Sequence, residues 1–220
     1  MRIKKVFIDL LKHFFKFKPK KVNNYLSRTN VFNKTRKQII EQKYIFKKIK
    51  KYHKKKILDY GCNDCFFSTI IDKKIKYYGV DNNKELLNKK LKIYSKNFLF
   101  LKKTKIPFRK EYFDCVLLSH VLPHIYNSKS LIEEIKRVLK KNGVLIIVCP
   151  NKIFKFFYFF LNIFNNYIPD ETISKHFSSK NVQDLFDNNW KLLETNEYSI
   201  QKKIKKKYLN SRFIIIFKKL

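Results

Sequence analysis

A chain of 220 residues that is 45% hydrophobic is long enough for one α/β domain with a modest extension, and it excludes a chain too polar to bury a core. Its formal charge of +34 points to a nucleic-acid or anionic-membrane partner. A compositional cause competes with that reading. The favoured residues (Lys, Asn, Ile, Phe, Tyr) share AT-rich codons, so genome bias could load Lys onto every solvated face.

Residues 3–17 place Ile3, Val6, Phe7, Leu10, Leu11 and Phe14 on one helical stripe and Lys4, Lys5, Lys12 and Lys16 on the other side. Such a basic amphipathic helix either packs on the domain or rests as a foot on an anionic membrane surface. Charges interrupt every turn and no small-residue cleavage site follows, so it does not read as a signal peptide. Residues 19–37 are polar and basic and read as a linker. A second helix is expected over Thr35–Tyr52.

The chain is organised around Lys56-Ile-Leu-Asp-Tyr-Gly-Cys-Asn-Asp-Cys65. An apolar run that ends at Gly61 reads as a buried parallel strand entering a tight turn. A helix is expected after it, over Phe66–Lys73. Strand, Gly turn and helix together suit a nucleotide, because the turn admits a ligand close to the backbone and a helix start offers free N–H groups. A second run, Tyr77-Tyr-Gly-Val80, ends in Asp81, an acid placed to grip a ribose diol. Further strands are expected at Phe98–Leu101, Cys115–Ser119 and Val144–Val148, with helices over Lys84–Tyr94 and Ser130–Lys140. Asn127 or Ser128 caps the last helix, Glu133 and Arg137 form an i,i+4 pair on it, and Gly143 follows its end. This alternation implies a parallel sheet with its ligand site at the strand C-terminal ends.

Composition leaves only three glycines, Gly61, Gly79 and Gly143. Each is therefore expected to meet a backbone demand that other residues cannot. The four cysteines (Cys62, Cys65, Cys115, Cys149) fit a reduced, cytosolic state. Cys62 and Cys65 form a Cys-x-x-Cys beside a βαβ pattern, either a redox pair or small residues in a tight turn, and no second pair completes a zinc site.

These residues resemble motifs I and II of the class I methyltransferases that use S-adenosyl-L-methionine (SAM), of the small-molecule or lipid type with a type 11 or type 12/23-like domain. Asp59 and Gly61 match the first motif; Asn63 and Cys65 stand where its second and third glycines usually are. Ile106-Pro-Phe108, Tyr112-Phe-Asp-Cys-Val116 and Ser119-His-Val-Leu-Pro-His-Ile125 resemble the fourth-strand signature. Glu134-Ile-Lys-Arg-Val-Leu-Lys-Lys-Asn-Gly-Val144 resembles the helix and turn before the fifth strand. The resemblance runs in order over about residues 55–151. Lys102 stands where the family often has an adenine-binding acid, and Pro123 where it often has Glu.

The resemblance implies a Rossmann-like, seven-stranded, mostly parallel sheet with helices on both faces and an antiparallel C-terminal hairpin. The hairpin strands are expected within Leu192–Ile204 and at Arg212–Phe217. Residues 1–54 would be a basic helical extension and cofactor lid, 55–220 the SAM-binding domain, and 152–189 an acceptor-side insertion. In the last of these, Ile153, Phe156, Phe157, Phe160, Leu161 and Phe164 form an apolar helical stripe, pocket-lining, membrane-dipping (153–168) or simply core. His176 precedes a helix for which Ser178 is the N-cap.

For the cofactor, the resemblance implies a turn Asp59, Gly61, Cys62 and Asn63 around the methionine part, Asp81 and Asn82 at the ribose, the backbone of Leu101 and Lys102 at adenine, and Ser119 and His120 facing the methyl. His120 and His124, with His176 behind them, are the candidate bases for an oxygen or nitrogen acceptor. The implied activity is methyl transfer from SAM to a small-molecule, lipid-linked or sugar acceptor, in the cytoplasm or peripherally on the inner membrane face. Two other readings stay open: a nucleic-acid methyltransferase or basic binding protein, although no Asn-Pro-Pro-Tyr-type motif follows the fourth strand, and a non-catalytic SAM-fold interaction protein.

Overall fold

The computed structural model describes residues 36–52, 54–87, 93–101, 105–151, 175–198 and 212–220. The expected basic helix at 3–17, the aromatic stripe at 153–168 and Lys102 lie outside the described residues.

Seven strands form one sheet: β1 (Lys56–Tyr60), β2 (Lys76–Asp81), β3 (Phe98–Phe100), β4 (Phe113–Ser119), β5 (Leu139–Pro150), β6 (Trp190–Tyr198) and β7 (Arg212–Lys219), in the order β3-β2-β1-β4-β5-β7-β6. β3, β2, β1, β4 and β5 pair in parallel, and β7 and β6 pair antiparallel. This is the α/β sheet with a C-terminal antiparallel pair that the sequence implied. The chain runs outward from β1 to β3, then crosses back to β4 on the other side of β1. The strand order therefore reverses between β1 and β4, and in open α/β sheets ligands bind outside the strand C-terminal ends at such a switch point.

The central strands are continuous apolar runs because both faces are covered. On one face Ile57, Cys115, Ile146 and Ile214 pack with Ile45 and Ile49 of helix α1 (Arg36–Lys51). On the other, Leu58, Val116, Leu145 and Ile215 pack with Leu131, Ile132, Ile135 and Val138 of helix α2 (Ser128–Val138). Val182 of the short helix α3 (Ser179–Gln183) and Phe177 join that second face. Ser178 caps α3 reciprocally with Asn181, as expected.

Several expectations are corrected. The helix expected over Phe66–Lys73 is a single 3-10 turn, Phe66–Thr69, in which the Thr69 hydroxyl donates back to Phe66 O. A short apolar cluster does not distinguish a helix from a packed turn. The expected helix over Lys84–Tyr94 begins as another 3-10 turn, Lys84–Leu87, and Tyr94 is not helical. α2 spans Ser128–Val138, two residues earlier at each end than expected, and it is the Asn127 side chain that caps it. Its ion pair joins Glu134 to Arg137, i,i+3, rather than Glu133 to Arg137. Gly143 is not a helix cap. β5 starts at Leu139, five residues before the expected Val144, and a register shift between Phe113 and Cys115 accommodates the extra residues. Asn142 takes the left-handed backbone there, at φ 62°. β6 likewise begins earlier, at Trp190.

Candidate active site

The site grows from the turn after β1. Gly61 has φ 75°, and a Cβ on it would come within 2.4 Å of Val121 Cγ2 in the loop after β4. Glycine is thus required twice, by its dihedral and by the close approach of the two loops flanking the switch point. The N–H groups of Gly61 and Cys62 donate to Val80 O at 2.8 and 3.2 Å, folding the turn over the end of β2. Asn63 and Cys65 also have left-handed backbones, at φ 50° and 59°. The residues are not glycine at these two positions, yet the backbone is the one glycine favours. Asn adopts it readily; Cys does so at a cost of roughly 1–2 kcal/mol.

Asp81, half-buried at the tip of β2, holds this turn. Its Oδ2 accepts the Asn63 N–H at 2.7 Å and its Oδ1 accepts the Asn83 N–H at 2.8 Å. A carboxylate offers about four acceptor directions, so each oxygen retains one for a further donor such as a hydroxyl. A vicinal diol fits that arrangement. Asn82 is exposed beside it. Leu101 is buried and its N–H donates to Asp81 O at 2.7 Å, so that N–H serves the sheet edge rather than a ligand.

Asp59 is placed differently from a ligand-facing residue. It is buried, and Tyr77 Oη donates to its Oδ2 at 2.7 Å. Burial pushes its carboxyl up to about 7, against the pull of the Tyr77 hydrogen bond and with the charges of Asp81 and Asp64 adding to the rise. Cys62 and Cys65 are both buried free thiols, with Cys65 Sγ donating to Cys62 Sγ at 3.4 Å. Burial pushes the Cys62 thiol far up. A reactive Cys-x-x-Cys needs a thiolate within reach of solvent, so the pair acts as packing. The two sulfurs sit against β2, where a Cβ on Gly79 would meet them at 2.4 and 2.7 Å.

Ser119 ends β4 half-buried, and His120 follows at φ 61°, its N–H bonded to Val148 O at 2.8 Å. Its Nε2 lies 3.2 Å from Glu41 Oε2 of α1. Tyr198 Oη donates to Glu41 Oε1 at 2.8 Å, and Arg212 pairs with Glu41 Oε2. Four elements thus converge on one buried carboxylate. Burial alone would raise it, but His120, Arg212 and Tyr198 outweigh burial and hold it at about 2. Glu41, Tyr198 and Arg212 were not singled out from the sequence. Glu41 does carry a signal: it lies four and eight residues before Ile45 and Ile49, a carboxylate on an otherwise apolar stripe. His124 closes the 3-10 turn Leu122–His124 and is exposed, as is His176. The structure brings Gly61, Cys62, Asn63, Asp81 and Leu101 into one hydrogen-bonded unit, and Val121 packed on Gly61 joins it to the Ser119–His120 end of β4.

The sequence profile of a family described as a methyltransferase domain, type 11, matches residues 58–147. The match is to that methyltransferase domain and covers less than half of the chain. The match spans β1 through most of β5 and so contains the turn, Asp81 and the β4 loop. Two uncharacterized proteins of Methanocaldococcus jannaschii are similar in sequence. One is 37% identical over 110 residues, which is 47% of this chain and 46% of its own length; the other is 42% identical over 72 residues, 31% and 33% respectively. The chain thus spans less than half the length of these curated relatives. Among solved structures, a protein from Pyrococcus horikoshii superposes with a TM-score of 0.66 at 17% identity, covering 90% of this chain and 100% of its own. A SAM-dependent methyltransferase from Archaeoglobus fulgidus gives 0.59 at 17%, covering 90% and 100%. One from Aquifex aeolicus gives 0.55 at 18%, covering 83% and 98%. At these identities the likeness is one of fold: the Rossmann-like methyltransferase sheet.

Proposed function

We propose that this protein transfers a methyl group from SAM to a small-molecule, lipid-linked or sugar acceptor. The observation that carries the reading is the Asp81 joint. The β2 acid clamps the glycine turn through Asn63 and retains acceptor directions for a diol, at the switch point of a methyltransferase-family sheet. Asp81 would hold the ribose hydroxyls, the Gly61–Asn63 backbone the methionine part, and Leu101 would border adenine.

SAM supplies a methyl already activated by its sulfonium, which departs with the C–S electron pair left on sulfur. The chain's own contribution is alignment of the acceptor and exclusion of water, which can be worth ~7–11 kcal/mol of the barrier. His120, beside the β4 end, is the group that would take a proton from the acceptor.

Isothermal titration with SAM and with its demethylated product tests the reading. We expect micromolar binding by the wild type. Asp81→Ala should weaken it ~10–100-fold, as expected for losing hydrogen bonds to a charged group of about 1.5–3 kcal/mol. Absence of binding by the folded wild type would overturn the proposal and leave a non-catalytic member of the family.

A further inference from the structure

We infer that Glu41 is the positioning residue of this site: its grip on His120 Nε2 leaves Nδ1 as the proton-accepting atom, and so suits the site to hydroxyl or amine acceptors. The inference rests on the methyltransferase reading above.

Glu41 is only 5% exposed, and its two oxygens are engaged by groups from three other elements: His120 after β4, Tyr198 on β6 and Arg212 on β7. Tyr44, on the same helix as Glu41, packs its ring 5.0 Å from that of Tyr198. An ionised carboxylate is an acceptor only. The nitrogen that faces it must therefore carry the proton, and a neutral imidazole protonated at Nε2 has its lone pair at Nδ1. The Tyr198 hydroxyl and the Arg212 guanidinium keep Glu41 ionised and in place, so the tautomer does not depend on His120 alone. The backbone points the same way. A left-handed φ of 61° on a histidine persists where its surroundings over-determine it, here by the hydrogen bond to Val148 O behind and by Glu41 in front. A helix latch needs none of this: an apolar residue at 41 would extend the Ile45–Ile49 stripe without burying a charge.

The chemistry fixes the acceptor class. The acceptor's lone pair takes the methyl carbon, the C–S electron pair stays with sulfur, and the acceptor's proton passes to His120 Nδ1. An acceptor that arrives already deprotonated, a thiolate or a carboxylate, has no use for that base; a hydroxyl or amine has.

The first test is 15N NMR of the full chain labelled at its five histidines, with His120 assigned by its absence in His120→Gln. The neutral His120 ring should show a protonated Nε2 and a bare Nδ1. Glu41→Gln should lose that preference, and Glu41→Asp, which keeps the charge, should retain it. A wild-type ring protonated at Nδ1 overturns the inference whether or not SAM binds. Thermal unfolding shows that each variant is folded, and SAM titration of the same variants keeps the cofactor question separate. The second test is transfer of tritiated methyl from SAM to a panel of hydroxyl, amine and thiol probes. His120→Gln should lose ~100-fold or more in kcat. Glu41→Gln should lose ~10-fold with KM for SAM unchanged, and the double variant should lose no more than His120→Gln. Losses that multiply would show Glu41 acting on its own account and would overturn the assignment.

Discussion

Replacing Asp59 by Asn should stabilise this protein at alkaline pH and do little in mild acid. Asp59 is 4% exposed at the end of β1, with one oxygen receiving the Tyr77 hydroxyl at 2.7 Å. Burial lifts its carboxyl from the ordinary 3.8 to about 7. The folded chain therefore holds this proton more tightly than the unfolded chain does. Between pH 3.8 and about 7 the native state carries the extra proton, so the group's contribution to stability falls as pH rises through that window and is at its worst above it. A rise of about 3 pH units at 1.36 kcal/mol each makes the penalty about 4 kcal/mol, an order of magnitude for one buried acid. Asn keeps an oxygen for Tyr77 and does not titrate. Urea unfolding of both proteins at pH 5, 6, 7 and 8 isolates the effect, because every other carboxylate titrates in both. The stability difference should swing towards Asp59→Asn by about 3 kcal/mol from pH 5 to pH 8, with unchanged m-values. A difference that is flat with pH, or one that favours the wild type at pH 8, would refute the argument from burial.

Gly79→Ala should cost about 1–3 kcal/mol by overpacking, because its Cβ lands on the sulfurs of Cys65 and Cys62, and adding Cys65→Ala should recover part of the loss in urea unfolding. Glu41, held at about 2 against the usual 4.5, contributes stability that is present above pH 4.5 and lost as pH falls towards 2. Acid unfolding of Glu41→Gln should lack that part of the decline. Asn127→Ala removes the side-chain oxygen that accepts the Ser130 N–H at the start of α2, and should cost about 1 kcal/mol in thermal or urea unfolding.

The strands were legible because a buried parallel strand leaves a run of apolar residues bounded by polar ones, as in Ile57–Tyr60 and Cys115–Ser119. The start of β5 was hidden for the opposite reason. Leu139 and Lys140 read as the end of the helix and Lys141–Asn142 as the turn after it, whereas all four open β5, with Lys140–Asn142 forming an irregular, more exposed stretch between buried Leu139 and the buried run from Gly143. The two expected crossover helices reduce, among the described residues, to 3-10 turns, because Phe66–Ile71 offers apolar residues in too short a stretch to show a period. The turn itself was legible by residue type at Gly61 and Asp81. That Asn63 and Cys65 keep the left-handed backbone is a property of φ that neither residue announces. The Glu41 cluster spans sequence separations of 79, 157 and 171 residues, and no local pattern encodes such a meeting.

If His120 serves as proposed, helix α1 belongs to the site as well as to the core. Ile45 and Ile49 dock it on the sheet face that carries Ile57, Ile146 and Ile214, and one turn earlier the same stripe delivers Glu41 to His120. The two contacts are coupled by helical geometry, since residues four apart lie on one face. If α1 leaves the sheet, its isoleucines lose their apolar partners and His120 loses the carboxylate that orients it, in a single event. On the proposed reading, docking of α1 and placement of His120 would be coupled. A ligand that binds better with His120 in place would then tighten α1, in proportion to its preference for the docked state.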